Sequence, residues 1–216
     1  MRIIAFGDIH MDYEKASSIP EIEKADLVIV TGDFTNYGGR EDAAKVLEGL
    51  KKLNQNILAL MGNLDNPSVH DFLVEEGISI HGKGVKMGDV GIFGVGGSNI
   101  TPFDTPTEFT EEELKKIVEQ AHSDVVDQPV KILVSHTPPL NTVTDKISSG
   151  ANVGSSAIRE FIESEQPDFC LTGHIHEAKG VDKIGKTLIL NPGMLTDPGW
   201  IEVWKDESGQ WQAKLH

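Results

Sequence analysis

Seven side chains of metal-ligand type recur along the chain in short polar clusters. They are Asp8 and His10 in Asp8-Ile9-His10, Asp33 after Gly32, and Asn63 in Gly62-Asn63-Leu64-Asp65. His136 follows, then His174 and His176 in Gly173-His174-Ile175-His176. Four imidazoles, two carboxylates and one amide make a nitrogen-and-oxygen donor set. Such a set suits Mn, Fe, Zn, Co or Ni better than a calcium site built from oxygen alone. One ion uses about four to six donors, so seven point to two ions. A carboxylate shared between them would hold them ~3.5–4 Å apart, the separation of two-metal hydrolases. Each cluster alone is a weak signal: Gly-Asp and Gly-Asn are common turns, and a lone histidine has many uses. The conjunction carries the reading.

Each cluster directly follows a short apolar run: Ile3–Phe6, Leu27–Thr31, Ile57–Met61, Ile132–Ser135 and Phe169–Thr172. These runs are rich in Ile, Val and Leu and lack polar alternation, as strands covered on both faces do. Helical patterns lie between several of them, at Glu41–Lys52, Thr110–His122 and Ser155–Ser164. The second opens with a Thr110-x-x-Glu113 capping box. Strands alternating with helices imply parallel pairing, which brings the carboxyl ends, and all five clusters, to one edge of a sheet. Val85–Met87 and Val90–Val95 bracket a Gly88-Asp89 turn. Val181–Ile184, Thr187–Leu190 and Gly199–Trp204 read as an antiparallel meander with an Asn191-Pro192-Gly193 turn. Gly96–Phe109 and Thr137–Gly154 are long irregular stretches of the kind that build sites.

The order and spacing of the motifs resemble those of the calcineurin-like metallophosphoesterases. That family carries Asp-x-His, Gly-Asp, Gly-Asn-His-Asp/Glu, a single His and Gly-His-x-His. The resemblance implies an α/β fold, a four-layer αββα sandwich of two mixed β-sheets flanked by helices, with residues 1–216 as one domain. It implies two divalent metal ions, Mn²⁺ first and Fe, Zn, Ni or Co as alternatives. One ion would take Asp8, His10, Asp33 and His176, the other Asp33, Asn63, His136 and His174. A metal-bridging hydroxide would then attack the phosphorus of a small phosphodiester or phosphomonoester. Leu64 departs from the pattern, because the family has histidine there to stabilise the transition state or protonate the leaving oxygen. General acid catalysis is worth ~10²–10⁴ in rate, so esters with poor leaving groups should react slowly. Asp65 is the nearest replacement acid, with a turn carboxylate as its plainer role. A non-catalytic or weakly catalytic metal-binding scaffold is the alternative function.

Asn63 could also offer its NH₂ to substrate, and Asn36, Asn99 and Thr137 lie in loops suited to binding phosphate oxygens. Gly96–Phe109 would cover the pocket, with Phe103 or Phe109 either stacking on a base or aryl group or anchoring the loop. The 34 acidic and 19 basic residues give a formal charge of −15, and no basic patch is apparent, which disfavours nucleic acid. No apolar run approaches the ~18 residues of a membrane span. One cysteine, Cys170, permits no internal disulfide, and a cytoplasmic setting is expected. His70, His81, His122 and His216 lie outside the motifs and read as solvated. Trp200, Trp204 and Trp211 read as packing for the tail or as a homodimer patch. No Gly-x-Gly-x-x-Gly or Gly-x-Ser-x-Gly motif supports a dinucleotide-binding or serine-hydrolase alternative.

Overall fold

The computed structural model describes residues 1–197 and 199–216. The strands in chain order are β1 (Arg2–Phe6), β2 (Leu27–Val30), β3 (Ile57–Ala59), β4 (Gly84–Met87), β5 (Val90–Val95), β6 (Ser98–Asn99) and β7 (Glu108–Phe109). They continue as β8 (Val130–Ser135), β9 (Phe169–Thr172), β10 (Gly180–Ile184), β11 (Thr187–Asn191), β12 (Ile201–Lys205) and β13 (Trp211–Leu215). The helices are α1 (Arg40–Lys51), α2 (Pro67–Glu75), α3 (Glu111–Ser123) and α4 (Ser156–Glu165).

Successive side chains on a strand point to opposite faces, and here both faces are covered. On β1, Ile3 and Ala5 enter a central core, whereas Ile4 and Phe6 enter an outer one. The central core lies between two sheets and joins Ile3, Ala5 and Ile29 to Ile92, Ile132 and Leu171. Outside the first sheet, α1 and α2 bury Val46, Leu47, Leu50, Phe72 and Leu73 against Ile4, Phe6 and Val30. Outside the second, α3 and α4 bury Leu114, Val118, Ile158 and Ile162 against Phe93, Leu133 and Cys170. The layers are therefore α, β, β, α. Thr110 caps α3 with the reciprocal Thr110–Glu113 box expected from its sequence.

The first sheet has the order β13-β12-β1-β2-β3, and the second β10-β11-β9-β8-β5-β4. The five runs that precede the ligand clusters are thus divided, not gathered in one sheet. β1, β2 and β3 pair in parallel in the first, and β8 and β9 pair in parallel in the second. Their carboxyl ends still meet, because the sheets stack with those ends on the same side.

The expected tail meander is corrected. β10 and β11 form an antiparallel hairpin, but β11 then pairs in parallel with β9. The chain next crosses to the first sheet, where β12 lies antiparallel to β1. Ile201 and Val203 on β12 belong beside Ile3 and Ala5 in the central core, and only that sheet covers them. Besides the two-residue strands β6 and β7 inside the Gly96–Phe109 stretch, two longer elements went unread. α2 carries a Pro67 start and Val69, Phe72 and Leu73 at helical spacing. β13 is a half-exposed edge strand whose alternating Trp211, Ala213 and Leu215 pack against the central core. The histidines outside the motifs are also less solvated than expected. His122 is buried between Phe93 and Phe161, and His81 stacks on Phe109.

Among the described residues, no helix is long and apolar enough to cross a membrane.

Candidate metal centre

The backbone turns sharply as it leaves the strands. Asp8, His10, Asp33 and His174 all have positive φ, at 49°, 47°, 51° and 67°. A side chain in this left-handed region is strained by roughly 1–2 kcal/mol, and such strain concentrates at functional sites. The turns are tied to one another by backbone bonds. The N–H groups of Ile9 and His10 both donate to the Asp33 carbonyl, and that of Gly173 donates to the His136 carbonyl. Gly62 permits the closest approach: a Cβ there would lie 2.0 Å from Asp33 Oδ1. Gly173 is similar, with Asp8 Oδ2 at 2.5 Å from such a Cβ.

Asp8, His10, Asp33 and His176 each offer one donor atom, all within 4.8 Å of one another. His176 Nε2 lies 3.1 Å from both Asp8 Oδ1 and His10 Nε2. Beside this group, Asn63 Oδ1 lies 3.0 Å from His136 Nε2 and 2.8 Å from His174 Nδ1. Asp33 Oδ2 reaches both sets, at 3.9 Å from His10 Nε2 and 3.5 Å from His136 Nε2. With metal–ligand bonds of about 2.1 Å, neighbouring donors of one coordination shell sit about 3.0–3.4 Å apart. Several separations, from 2.8 to 3.5 Å, are close to that size, and the donors are of types that fit a divalent ion.

Backbone carbonyls fix two of the rings. His136 Nδ1–H donates to the Thr31 carbonyl at 2.8 Å, and His10 Nδ1–H to the Thr35 carbonyl at 3.3 Å. Each bond selects the tautomer that turns an Nε2 lone pair inward, the arrangement typical of metal-binding histidines. Electrostatics push the ring and carboxyl groups apart. Burial opposes a charge on His136, but Asp33 outweighs it and raises the ring to about 9. Burial and His136 together lower His174 to about 4. Burial likewise opposes His176, yet the Asp8 carboxylate raises it. Asp33 stays below the usual carboxylate range despite burial, because His136 and His10 face it. The Asp33 and Asp8 carboxylates therefore draw positive charge toward the cluster, as a cation site requires.

The remaining sequence candidates fall into supporting positions. Asp65 is fully buried and accepts four bonds, from Thr35 N–H, Thr35 Oγ1, Phe34 N–H and Gly62 N–H. Burial and the charge of Asp33 raise it to about 7 against the pull of those donors. Its carboxylate staples the Asp33 turn to the Asn63 turn. Leu64 still contributes through its backbone, whose N–H donates to Asp33 Oδ1 at 2.8 Å. Asn36 Nδ2 donates to the His10 carbonyl, and Thr137 Oγ1 donates to Asn99 Oδ1 at 2.7 Å.

Residues that sequence reasoning missed lie in the Gly96–Phe109 loop. Asn63 Nδ2 donates to Thr105 Oγ1 at 3.0 Å, and Thr105 Oγ1 donates to Glu108 Oε1 at 2.6 Å. Thr107 binds the same turn twice, by its N–H to the Asn63 carbonyl and its hydroxyl to the Asp65 carbonyl. No local pattern announces the bonds from Thr105 and Thr107 back to the Asn63 turn; the two made through side chains each span 42 residues. The two loop phenylalanines divide: Phe109 anchors the loop against the core, while Phe103 is 76% exposed. The cavity beside the seven residues is about 620 Å³ and includes Asn63 and His174 in its lining. A separate cleft of about 530 Å³ at α3 and α4 touches none of the seven.

Comparison with known proteins agrees with this geometry. An uncharacterized protein of Methanocaldococcus jannaschii is 38% identical over 201 residues, spanning 89% of this chain and 88% of that protein. A UPF0046 protein of Caenorhabditis elegans is 25% identical, over 88% of this chain and 69% of its own length. Among solved structures, TT1561 of Thermus thermophilus superposes with a TM-score of 0.72 at 17% identity, covering 99% of this chain and 97% of that one. A structure described as a dimetal phosphatase from Danio rerio gives a TM-score of 0.62 at 10% identity, over 96% of this chain and 93% of that one. These structures share the fold. The sequence profile described as calcineurin-like phosphoesterase matches residues 1–178, and the chain belongs to that family.

Proposed function

We infer that the protein hydrolyses a small phosphodiester or phosphomonoester with two divalent ions, Mn²⁺ foremost. Asp8, His10, Asp33 and His176 would hold one ion, and Asp33, Asn63, His136 and His174 the other. The observation that carries this reading is the position of Asp33 Oδ2, within 3.9 Å of His10 Nε2 and 3.5 Å of His136 Nε2. A carboxylate in contact with both donor sets is the bridge that a two-ion site needs. Bound divalent ions supply Lewis-acid polarisation of the phosphoryl group and lower the pKa of a water molecule.

The protein's own residues orient this chemistry. The Thr31 and Thr35 carbonyls hold the His136 and His10 rings with their lone pairs inward. Asn63 directs its oxygen toward His136 and His174, with one N–H given to Thr105 and one left for a phosphate oxygen. We assign Asp65 to positioning: its four accepted bonds are those of an ionised carboxylate, not of a proton donor. Asn36, Asn99 and Thr137 then act as supports through the bonds they already make.

Leu64 favours a second reading, a weakly catalytic or scaffold role for the same metal site, because leucine cannot protonate a leaving alkoxide. Hydrolysis of bis-aryl phosphate, aryl phosphate and a matching alkyl ester in Mn²⁺, with Asp33→Ala as control, tests both. We expect metal-dependent turnover of the aryl esters, its loss in Asp33→Ala, and alkyl rates lower by ~10²-fold or more. Bound metal without turnover of any ester would favour the scaffold.

A further inference from the structure

The cavity of about 620 Å³ beside Asn63 and His174 has an unusual wall. Its apolar surface comes from Ile100, Pro102, Phe103, Ile147, Val153 and Ile175. Among the described residues that line it there is no lysine or arginine, and the one carboxylate is the exposed Glu177. Phosphate-rich ligands are normally met by cationic side chains or by backbone N–H groups at a helix N-terminus. A second phosphate would find no cationic side chain here, and Glu177 would repel it.

The polar side chains of the wall are already engaged. Asn99 gives Nδ2 to the Val153 carbonyl and takes the Thr137 hydroxyl at Oδ1. Asn152 gives Nδ2 to the Thr142 carbonyl and to Asp145 Oδ1. Thr101 gives its hydroxyl to Glu108 and accepts the Phe103 N–H. A base or sugar is read by free donors and acceptors, and these residues have few left. The wall instead holds two large apolar side chains in the open, Ile100 at 63% and Phe103 at 76% exposure. Their loop is pinned by Glu108, which accepts from both Thr101 and Thr105. Exposed apolar groups on a fixed loop facing a site mark a surface that a ligand covers.

We propose that this cavity seats the alcohol arm of the ester, and that the arm is an uncharged aryl-type group on a single phosphate. The inference rests on the phosphoesterase reading and narrows it to a substrate class. An aryl arm also fits the chemistry, because a phenolate leaves without a proton donor and no buried acid is among the described residues that line the cavity.

The test uses the Mn²⁺-loaded full chain and three non-hydrolysable probes: methylphosphonate, phenylphosphonate and 4-carboxyphenylphosphonate, titrated calorimetrically. Phenylphosphonate should bind roughly tenfold tighter than methylphosphonate, the scale of one aromatic contact with its burial. Phe103→Ala, at an exposed position where folding is not at risk, should shrink that ratio several-fold. Glu177→Lys should raise affinity for 4-carboxyphenylphosphonate relative to phenylphosphonate. Equal binding of the phenyl and methyl probes overturns the proposal, as does a ratio unmoved by both Phe103→Ala and Ile147→Ala. Turnover of bis-aryl phosphate is measured in parallel. Turnover without a phenyl preference overturns the aryl arm alone. Absence of both binding and turnover overturns the phosphoesterase reading and this inference with it.

Discussion

Glu108 never reaches the seven ligand residues, yet it dictates which end of the Asn63 amide faces them. A carboxylate only accepts, so the Thr105 hydroxyl must give its single proton to Glu108. Thr105 Oγ1 can then only accept from Asn63, which forces the amide NH₂ outward and Oδ1 toward His136 and His174. Flipping the amide would set two acceptors against each other in a site where Asn63 and Thr105 are both buried. Leaving a buried group unpaired costs about 1–3 kcal/mol. At about 2 kcal/mol the correct orientation is favoured roughly 30-fold. In Glu108→Gln, the new amide can donate to Thr105, the hydroxyl proton can turn to Asn63, and the preference disappears. Thr105→Val removes the relay, whereas Thr105→Ser retains it. Metal titration should show an ion held through Asn63 weakened about twofold in Glu108→Gln and Thr105→Val, because the competent amide orientation falls from nearly all of the population to about half. An ion held by Asp8, His10, Asp33 and His176 should be little changed, and Thr105→Ser should bind as the parent does. Two-site isotherms identical in all four proteins would refute the argument.

Two further outcomes follow from buried groups away from substrate. In Asp65→Asn, either amide orientation turns an NH₂ against two of the four groups that now donate to the carboxylate. We expect a loss of roughly 3 kcal/mol, read from the urea midpoint; a loss under about 1 kcal/mol would show that the staple is dispensable. His81 accepts the Gly96 N–H at Nδ1, and burial, with a smaller contribution from His70, lowers it from 6.5 to about 4. The unfolded chain therefore binds the proton first, and stability falls as pH drops through 6.5 toward 4. The loss is about 2–3 kcal/mol between about pH 7 and about pH 4.5. His81→Asn keeps an acceptor near the Nδ1 position without a titrating ring, so it should lose less over the same interval. Equal acid sensitivity in urea unfolding of the two proteins would remove His81 as the cause.

The sequence by itself determined the ligand types and their places at strand ends. Ile3–Phe6 followed by Asp8 and His10, or Phe169–Thr172 followed by His174 and His176, is a local pattern, because a buried strand and the turn that ends it are adjacent in the chain. The outer helices α1, α3 and α4 were legible for the same reason, since apolar spacing and the Thr110 cap are written within a short stretch of chain. Tertiary structure decided the rest. Strands divide between two sheets according to which partner covers both faces, so β12 joined β1 although its sequence continued the tail. The ring orientations of His136 and His10 depend on the carbonyls of Thr31 and Thr35, and a backbone carbonyl has no letter in the sequence. The Asn63–Thr105–Glu108 relay and the apolar cavity arise where distant loops meet. Their residue types are ordinary, and only proximity gives them a role.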